Sequence, residues 1–465
     1  MYKTPVFSCK GFPFPMHSVL VWQRGKVLQE EYFAPFTSSS LHRMFSVTKS
    51  FAALSVCGLM AEGKLRPGDK IASFFPEYLP PDPHPWLTDM TLEDMLSMRT
   101  CHASTTYKAD MTKDWTESFF RTVPDHRPGQ IFKYDTSSAH TLSALVKKLT
   151  GMGMLDYLRS LYLDSLGFSR DAHILEDPFG IEMGGSGLVA SPRDLLALAR
   201  LLLSFYKGTW KEDFGHVLLS GREEPDEAFF DRYAGLVRTC MTFHASTLHE
   251  GKTLDECQGY GWQFWMVRGG IAMYGMGGQY VLFYPDLDLI VITTADTQAL
   301  QGGTQYILDE AYRLSQSLRR MEGVSSPPIL CPSIVGEVPS CREALREKLK
   351  GCAGAYRVLK EGSPFHTLYI SPEEISLESR GRRFTFPLQG EWSGIRDPKY
   401  GQALYIHPCL LKDGNICLYI QILDDYTGSI RILLSPEGDS LTLYMRKIEE
   451  SLFSEFGGFL EAVRI

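Results

Sequence analysis

The sequence predicts an α/β (α+β) domain, in which a sheet drawn from both ends of the domain is flanked by helices, followed by a smaller all-β domain. Three observations predict it. Strand-like alternation opens the chain and returns near residue 280. The stretch between is apolar at helical spacing. Beyond a proline-rich segment, short β-rich runs recur between Gly, Asp and Pro turns.

Residues 18–33, SVLVWQRGKVLQEEYF, alternate on both sides of Arg24-Gly25-Lys26 and predict a hairpin. From Ser46 the run SVTKSFAALSVCGLMAEGKL is apolar at helical spacing and closes at Gly63, so a buried helix begins at or just before Ser46. Further amphipathic helices are expected over 91–99, 137–150 and 191–204, the last opened by Ser191 as N-cap with Pro192 at the first position. GQYVLFY and LDLIVITTA read as strands split by Pro285-Asp286, before a helix with Ile307, Ala311, Leu314, Leu318 and Met321 on one face. The domains expected are 1–325, a linker over 326–345 marked by Pro327, Pro328, Pro332 and Pro339, and a β-rich domain over 346–465.

A length of 465 residues exceeds what one core usually organises. The net charge of −8, with Lys and Arg scattered, argues against a nucleic-acid surface. No stretch approaches the roughly 18 uninterrupted apolar residues of a membrane span. The opening MYKTPVFSCKGFPFPMH lacks the apolar core of an export signal, so a cytoplasmic location is expected. The ten cysteines show no CxxC pair and no histidine-rich spacing, so neither zinc nor structural disulfides are expected. Oligomeric state stays open.

A serine hydroxyl is a weak nucleophile and needs a base within reach. Lys49 follows Ser46 by one helical turn and can supply it, while the helix N-terminus favours a developing oxyanion. A Ser-x-x-Lys tetrapeptide arises on the order of once by chance in a chain this long, so its context has to carry it.

That context resembles a family. MFSVTKSFAALSVCGLMAEGKL is similar to the first motif region of the class C β-lactamase-like, penicillin-binding-protein-like serine hydrolases, and TLEDMLSMRT to the helix that follows it. RPGQIFKYDTSSAHTLSALVKKLTG resembles the second motif region, where Pro128-Gly129 precedes a strand-like segment and Tyr134 takes the position of the family's tyrosine. GGSGLVASPRDLLALARLL, from 184, is a further signature. Gly277-Gly278-Gln279 resembles the variant of the third motif that faces the nucleophile.

The resemblance covers residues 17–320 in family order and implies an antiparallel sheet with a helical subdomain, and no metal or organic cofactor. It also implies catalysis by Ser46, Lys49 and Tyr134, with backbone N–H groups of Ser46 and Gln279 as the oxyanion hole and Asp135, Thr136, Met276, Gly277 and Gly278 beside the substrate. The closing MRKIEESLFSEFGGF resembles the lipocalin-like barrel appended to some members.

Two departures narrow the chemistry expected. Members acting on β-lactams carry Tyr-x-Asn, whereas this chain reads Tyr134-Asp135-Thr136. The third motif usually begins with a cation, and here Met276 stands there. Both point to the esterase and amidase branch and to a small-molecule ester or amide as substrate. Alternatives are an acyltransferase using the same acyl-enzyme, a D-amino-acid peptidase or weak β-lactamase, and a non-catalytic binding protein on the same fold.

Some residues carry plainer readings. Ser46 could merely cap its helix. Lys49 could be an ordinary helix lysine, and Tyr134 a packing tyrosine. Gly275, Gly277 and Gly278 could mark a bulge. Alternation places Trp262 and Phe264 on one face and Trp265 on the other. His102, His126 and His140 suggest a Ser-His-Asp triad, but the motif order supplies Lys and Tyr instead.

Overall fold

The structure, a computed structural model of the chain, describes residues 5–220, 225–327, 341–379, 381–388, 392–423, 427–448 and 452–465. It divides into two compact units, one of residues 1–98, 104–123 and 134–330, the other of 99–103, 124–133 and 331–465.

In the first unit the strands are β1 (Met16–Gln23), β2 (Lys26–Tyr32), β3 (His42–Arg43), β4 (His173–Ile174), β5 (Leu188–Ala190), β6 (Trp265–Val267), β7 (Gly270–Gly275), β8 (Gln279–Tyr284) and β9 (Leu289–Ala295). Six of them form one antiparallel sheet in the order β2-β1-β9-β8-β7-β6. The expected opening hairpin is present. Arg24 and Gly25 both take positive φ, as a two-residue turn matched to strand twist requires. Strands β3, β5 and β4 make a small second sheet.

One face of the main sheet is covered by the Thr304–Glu322 helix, whose Ile307, Leu308, Ala311, Leu314 and Leu318 pack with Val19, Val21, Leu282 and Val291. Met321, expected on that face, is instead exposed, because the buried stripe ends at Leu318 and Arg319. The Val47–Ala61 helix is buried at every position, as a helix apolar all round should be. Around it stand the Thr136–Thr150 and Glu227–Cys240 helices, and Pro192–Lys207 packs on the latter. Ser191 caps Pro192–Lys207 in a capping box with Asp194.

Two expected elements differ. The helix over 91–99 is only Leu92–Leu96, since Met98 takes a φ of +57°, which no α-helix accommodates. The segment after Pro128-Gly129 is irregular rather than a strand.

The second unit holds β10 (Gly354–Val358), β11 (Thr367–Ile370), β12 (Glu374–Ser379), β13 (Arg382–Pro387), β14 (Ser393–Arg396), β15 (Ala403–Leu410), β16 (Ile416–Leu423), β17 (Thr427–Glu437), β18 (Ser440–Ile448) and β19 (Gly458–Arg464). They form one antiparallel sheet in the order β13-β12-β11-β10-β19-β18-β17-β16-β15-β14, and its end strands approach each other in a nearly closed barrel. Alternate residues such as Ile416, Leu418, Ile420 and Ile422 fill the interior, the inward set that the period of two dictates. Residues 124–133 belong to this unit. The Arg127 amide donates to Glu461 Oε1 at 2.9 Å, and the His126 ring stacks on Phe459. Most of the proline-rich stretch expected as a linker over 326–345 lies outside the described residues, as does Cys331; from Cys341 the chain is already in the Cys341–Gly351 helix.

Candidate active site

The approach to Ser46 is set by backbone geometry. The Met44 amide donates to Leu188 O at 2.7 Å, anchoring the chain to β5, and Phe45 then takes a φ of +46°, costly for a non-glycine residue. Such a kink turns the chain sharply into the Val47–Ala61 helix and leaves Ser46 as its N-cap residue. The Ser46 side chain makes no capping hydrogen bond, so capping is not what it does there.

Lys49 lies one turn on, and only 1% of it is exposed. Its Nζ is 3.0 Å from Ser46 Oγ, 2.7 Å from the Gly185 carbonyl oxygen and 3.3 Å from Thr136 Oγ1. Burial pulls the ammonium down to about 7, against a smaller opposing pull from Asp135. A neutral amine donates two hydrogens and keeps one lone pair. Gly185 O and Thr136 Oγ1 can take the two hydrogens, which aims the lone pair at Ser46. Gly185 is required here, because a Cβ would stand 2.2 Å from Thr136 Cγ2.

Tyr134 is half-buried, with its ring 4.8 Å from Lys49 Nζ. Burial pushes its phenol well above the usual tyrosine range, while the Ser46 hydroxyl facing it pulls the other way. Tyr134 is therefore a neutral phenol at neutral pH. Asp135, expected at the substrate, is fully buried and caps the Thr136–Thr150 helix by accepting from the Ser137 and Ser138 amides. Burial raises its carboxyl to about 6.

The third motif region divides. Side chains alternate along β7, so Tyr274 and Gly275 face opposite sides of the sheet. A Cβ on Gly275 would come 2.0 Å from Met44 O, which places the end of β7 against the backbone that delivers Ser46. Strand β6 pairs with Gly270, Ile271 and Ala272 of β7, and its Trp265 also bridges Tyr260. Met276 follows and is exposed. Gly277 and Gly278 take φ of +86° and +93° and back onto Ala295, Ile307 and Thr297. The Gln279 side chain donates to Ala295 O at 2.7 Å and to Met276 O at 3.3 Å, so it braces the hairpin.

Trp265 stacks on Tyr134 with ring centroids 5.7 Å apart, while Trp262 and Phe264 are core. Gln263, at positive φ, breaks the alternation expected there. His140 pairs with Asp177 at 3.1 Å, and His126 stacks in the second unit, so these two rings serve packing. Sequence reasoning missed Gly185 as the acceptor for Lys49, although the Gly184-Gly185 signature marked the place.

The model of the beta-lactamase family matches residues 14–307. The chain belongs to the beta-lactamase family. It is thus an enzyme, a serine hydrolase at the level of that family. Among curated proteins it is 25% identical over 292 residues to the 6-aminohexanoate-dimer hydrolase of Paenarthrobacter ureafaciens, covering 59% of this chain and 70% of that one. Among solved structures it resembles a putative 6-aminohexanoate-dimer hydrolase from Bacillus anthracis, with a TM-score of 0.50 and 16% identity over 67% of this chain and 81% of that one. It also resembles SurE with D-Leu, with a TM-score of 0.52 and 16% identity over 97% and 95% of the two chains. At such identities the structural likenesses establish the fold.

Proposed function

We propose that this chain hydrolyses an ester or amide bond of a small molecule through an acyl-Ser46 intermediate. The observation that carries the reading is the buried Lys49 Nζ, 3.0 Å from Ser46 Oγ and lowered to about 7. Neutral Lys49 takes the Ser46 proton as the hydroxyl attacks the carbonyl carbon. Tyr134, a neutral phenol beside both groups, relays that proton to the leaving oxygen or nitrogen. Water then attacks the acyl carbon and releases the acid.

The oxyanion meets the Ser46 amide at the helix start and an amide from the turn that ends β7. The contact of Gly275 with Met44 favours the Met276 N–H for the second role over Gln279, first expected there. The curated relative named as a hydrolase of a 6-aminohexanoate dimer supports the amide side of the reading. Thr136 and Met276, in place of an amide and a cation, support a substrate other than a β-lactam.

The test is intact-mass trapping with simple esters and acyl amides, together with product analysis in the presence of an added alcohol or amine. The reading expects one acyl group per chain and free acid as product. No adduct with any of them overturns it, and transfer to the added alcohol or amine in place of free acid makes the chain a transferase.

A further inference from the structure

The third motif supplies no charge at Met276, but two cations stand on the wall that holds Lys49. Arg43 ends β3, three residues before the nucleophile, and is exposed. Its Nε donates to Ser186 O at 3.2 Å, and its guanidinium lies 5.3 Å over the Phe45 ring. Lys49 takes the Gly185 carbonyl and Arg43 the next one along, so one stretch of backbone holds both the base and this guanidinium.

Lys108 belongs to the same wall. Gly185 packs directly on Thr136, where an added Cβ would stand 2.2 Å from Thr136 Cγ2. The helical turn Thr106–Ala109 is tied to that helix start, since the Thr136 amide donates to Thr105 Oγ1 at 3.1 Å and the Thr106 amide to Ser137 Oγ at 3.2 Å. Tyr107 is buried with its ring stacked on Trp115 at 4.1 Å, and Lys108 beside it is exposed. After burial, and after Asp135, Lys49 still feels the Lys108 charge and Tyr107 that of Arg43.

Neither cation is neutralised. Among the described residues no carboxylate pairs with Arg43 or Lys108, and the Arg43 terminal nitrogens have no partner. Asp135 is taken up by the Ser137 and Ser138 amides, and Asp110 faces Thr112 and Lys113. An exposed arginine ordinarily loses affinity to side-chain freedom and salt. Here the Ser186 carbonyl and the Phe45 ring hold the guanidinium before any ligand arrives, with its terminal nitrogens turned to no other group and open to a carboxylate.

Tyr134, which protonates the leaving group, is covered by Trp265, so the leaving group belongs to the Trp265 side. The wall of Gly185, Ser186 and Lys108 is left for the acyl chain. We propose that Arg43 and Lys108 bind a carboxylate at the far end of the acyl chain, so that the substrates are half-esters or half-amides of dicarboxylic acids. This rests on the hydrolase reading for turnover but not for the binding itself.

Titration calorimetry into the full chain carrying Ser46→Ala tests the binding without turnover, comparing adipamate and suberamate with the neutral hexanamide and octanamide. At low salt at least one anion is expected to bind about tenfold more tightly than its neutral partner, and the gap should close as salt rises. Arg43→Gln should remove most of that preference, Lys108→Gln part of it, and Arg43→Lys should keep part. Equal binding at both chain lengths, or a preference untouched by Arg43→Gln, overturns the site. Mono-4-nitrophenyl adipate and 4-nitrophenyl hexanoate, alike in chain length and leaving group, then test its use in the unaltered chain. A kcat/KM ratio about tenfold in favour of the half-ester, reduced in Arg43→Gln, is expected, and a ratio near one overturns the substrate assignment. With 4-acetoxybenzoate against phenyl acetate the anion sits on the leaving group, and a comparable gain there would overturn the acyl-side assignment. Loss of acyl-Ser46 formation with intact adipamate binding would remove the hydrolase reading and leave the site.

Discussion

Lys49 Nζ sits 3.0 Å from Ser46 Oγ while 2.7 Å from the carbonyl oxygen of Gly185. The second distance gives the first its direction. An amine held by a carbonyl on one side presents its lone pair on the other, and burial keeps that amine near neutrality at physiological pH.

Lys49→Ala and Tyr134→Phe should each lower kcat/KM by about 10²–10⁴, the usual range for a positioned acid or base. The double variant should be little worse than either single one, because groups sharing one proton path are non-additive. Steady-state kinetics on the three variants decides this. Multiplicative losses would mean that the two residues do not share a proton path.

The pH profile should rise on the acid side with a midpoint near 7, as Lys49 loses its proton and becomes a base. Asp135 raises the Lys49 value, so Asp135→Asn should move that limb to lower pH. Asn also caps helices well, so the Thr136–Thr150 helix should persist. The sign for stability follows from the same shift. The folded-state value of Lys49 lies below its ordinary 10.5, so the folded chain binds fewer protons than the unfolded one between pH 7 and 10.5, and the Lys49 contribution to stability grows with pH across that window.

Gly185→Ala should lower both activity and stability. Its Cβ would press on Thr136 Cγ2 at 2.2 Å and Thr136 O at 3.0 Å. Overpacking of that kind costs about 1–3 kcal/mol. A fall in Tm with a larger fall in kcat is expected, since both acceptors of Lys49 must shift.

Ser46 and Lys49 were legible because a spacing of three on a helix fixes a shared face, whatever packs around it. The hairpin at Arg24-Gly25 was legible because residues 18–33 alternate on both sides of it and Gly25 tolerates positive φ. Gly185 as an acceptor was not, since a backbone carbonyl has no side chain to mark it. The third motif was legible as a region but not in register. Gly277, Gly278 and Gln279 form the hairpin's back against Ala295, and only the packing of Gly275 on Met44 shows which residues approach the serine. Asp135 looked like a substrate residue by its neighbours, yet its carboxylate is consumed by the helix amides.

Cephalosporins should be poor substrates. Met276 offers no charge to the β-lactam carboxylate, and a charge-assisted hydrogen bond is worth about 1.5–3 kcal/mol, roughly one to two powers of ten. Arg268, the nearest candidate in sequence to replace it, is held by Asp255 and Asp309. A chromogenic cephalosporin should show kcat/KM at least about tenfold below the best simple ester or amide, and Met276→Lys should narrow the gap. Efficient cephalosporin turnover by the unaltered chain would contradict this.

Covalent labelling with a fluorophosphonate, mapped after trypsin, tests the central claim most directly. Cleavage after Arg43 and Lys49 releases residues 44–49, in which Ser46 is the one serine. The account predicts one label per chain, carried by this peptide on Ser46, forming faster as pH rises through 7 and absent in Ser46→Ala. A label on another residue, or no label on a folded chain, would contradict it.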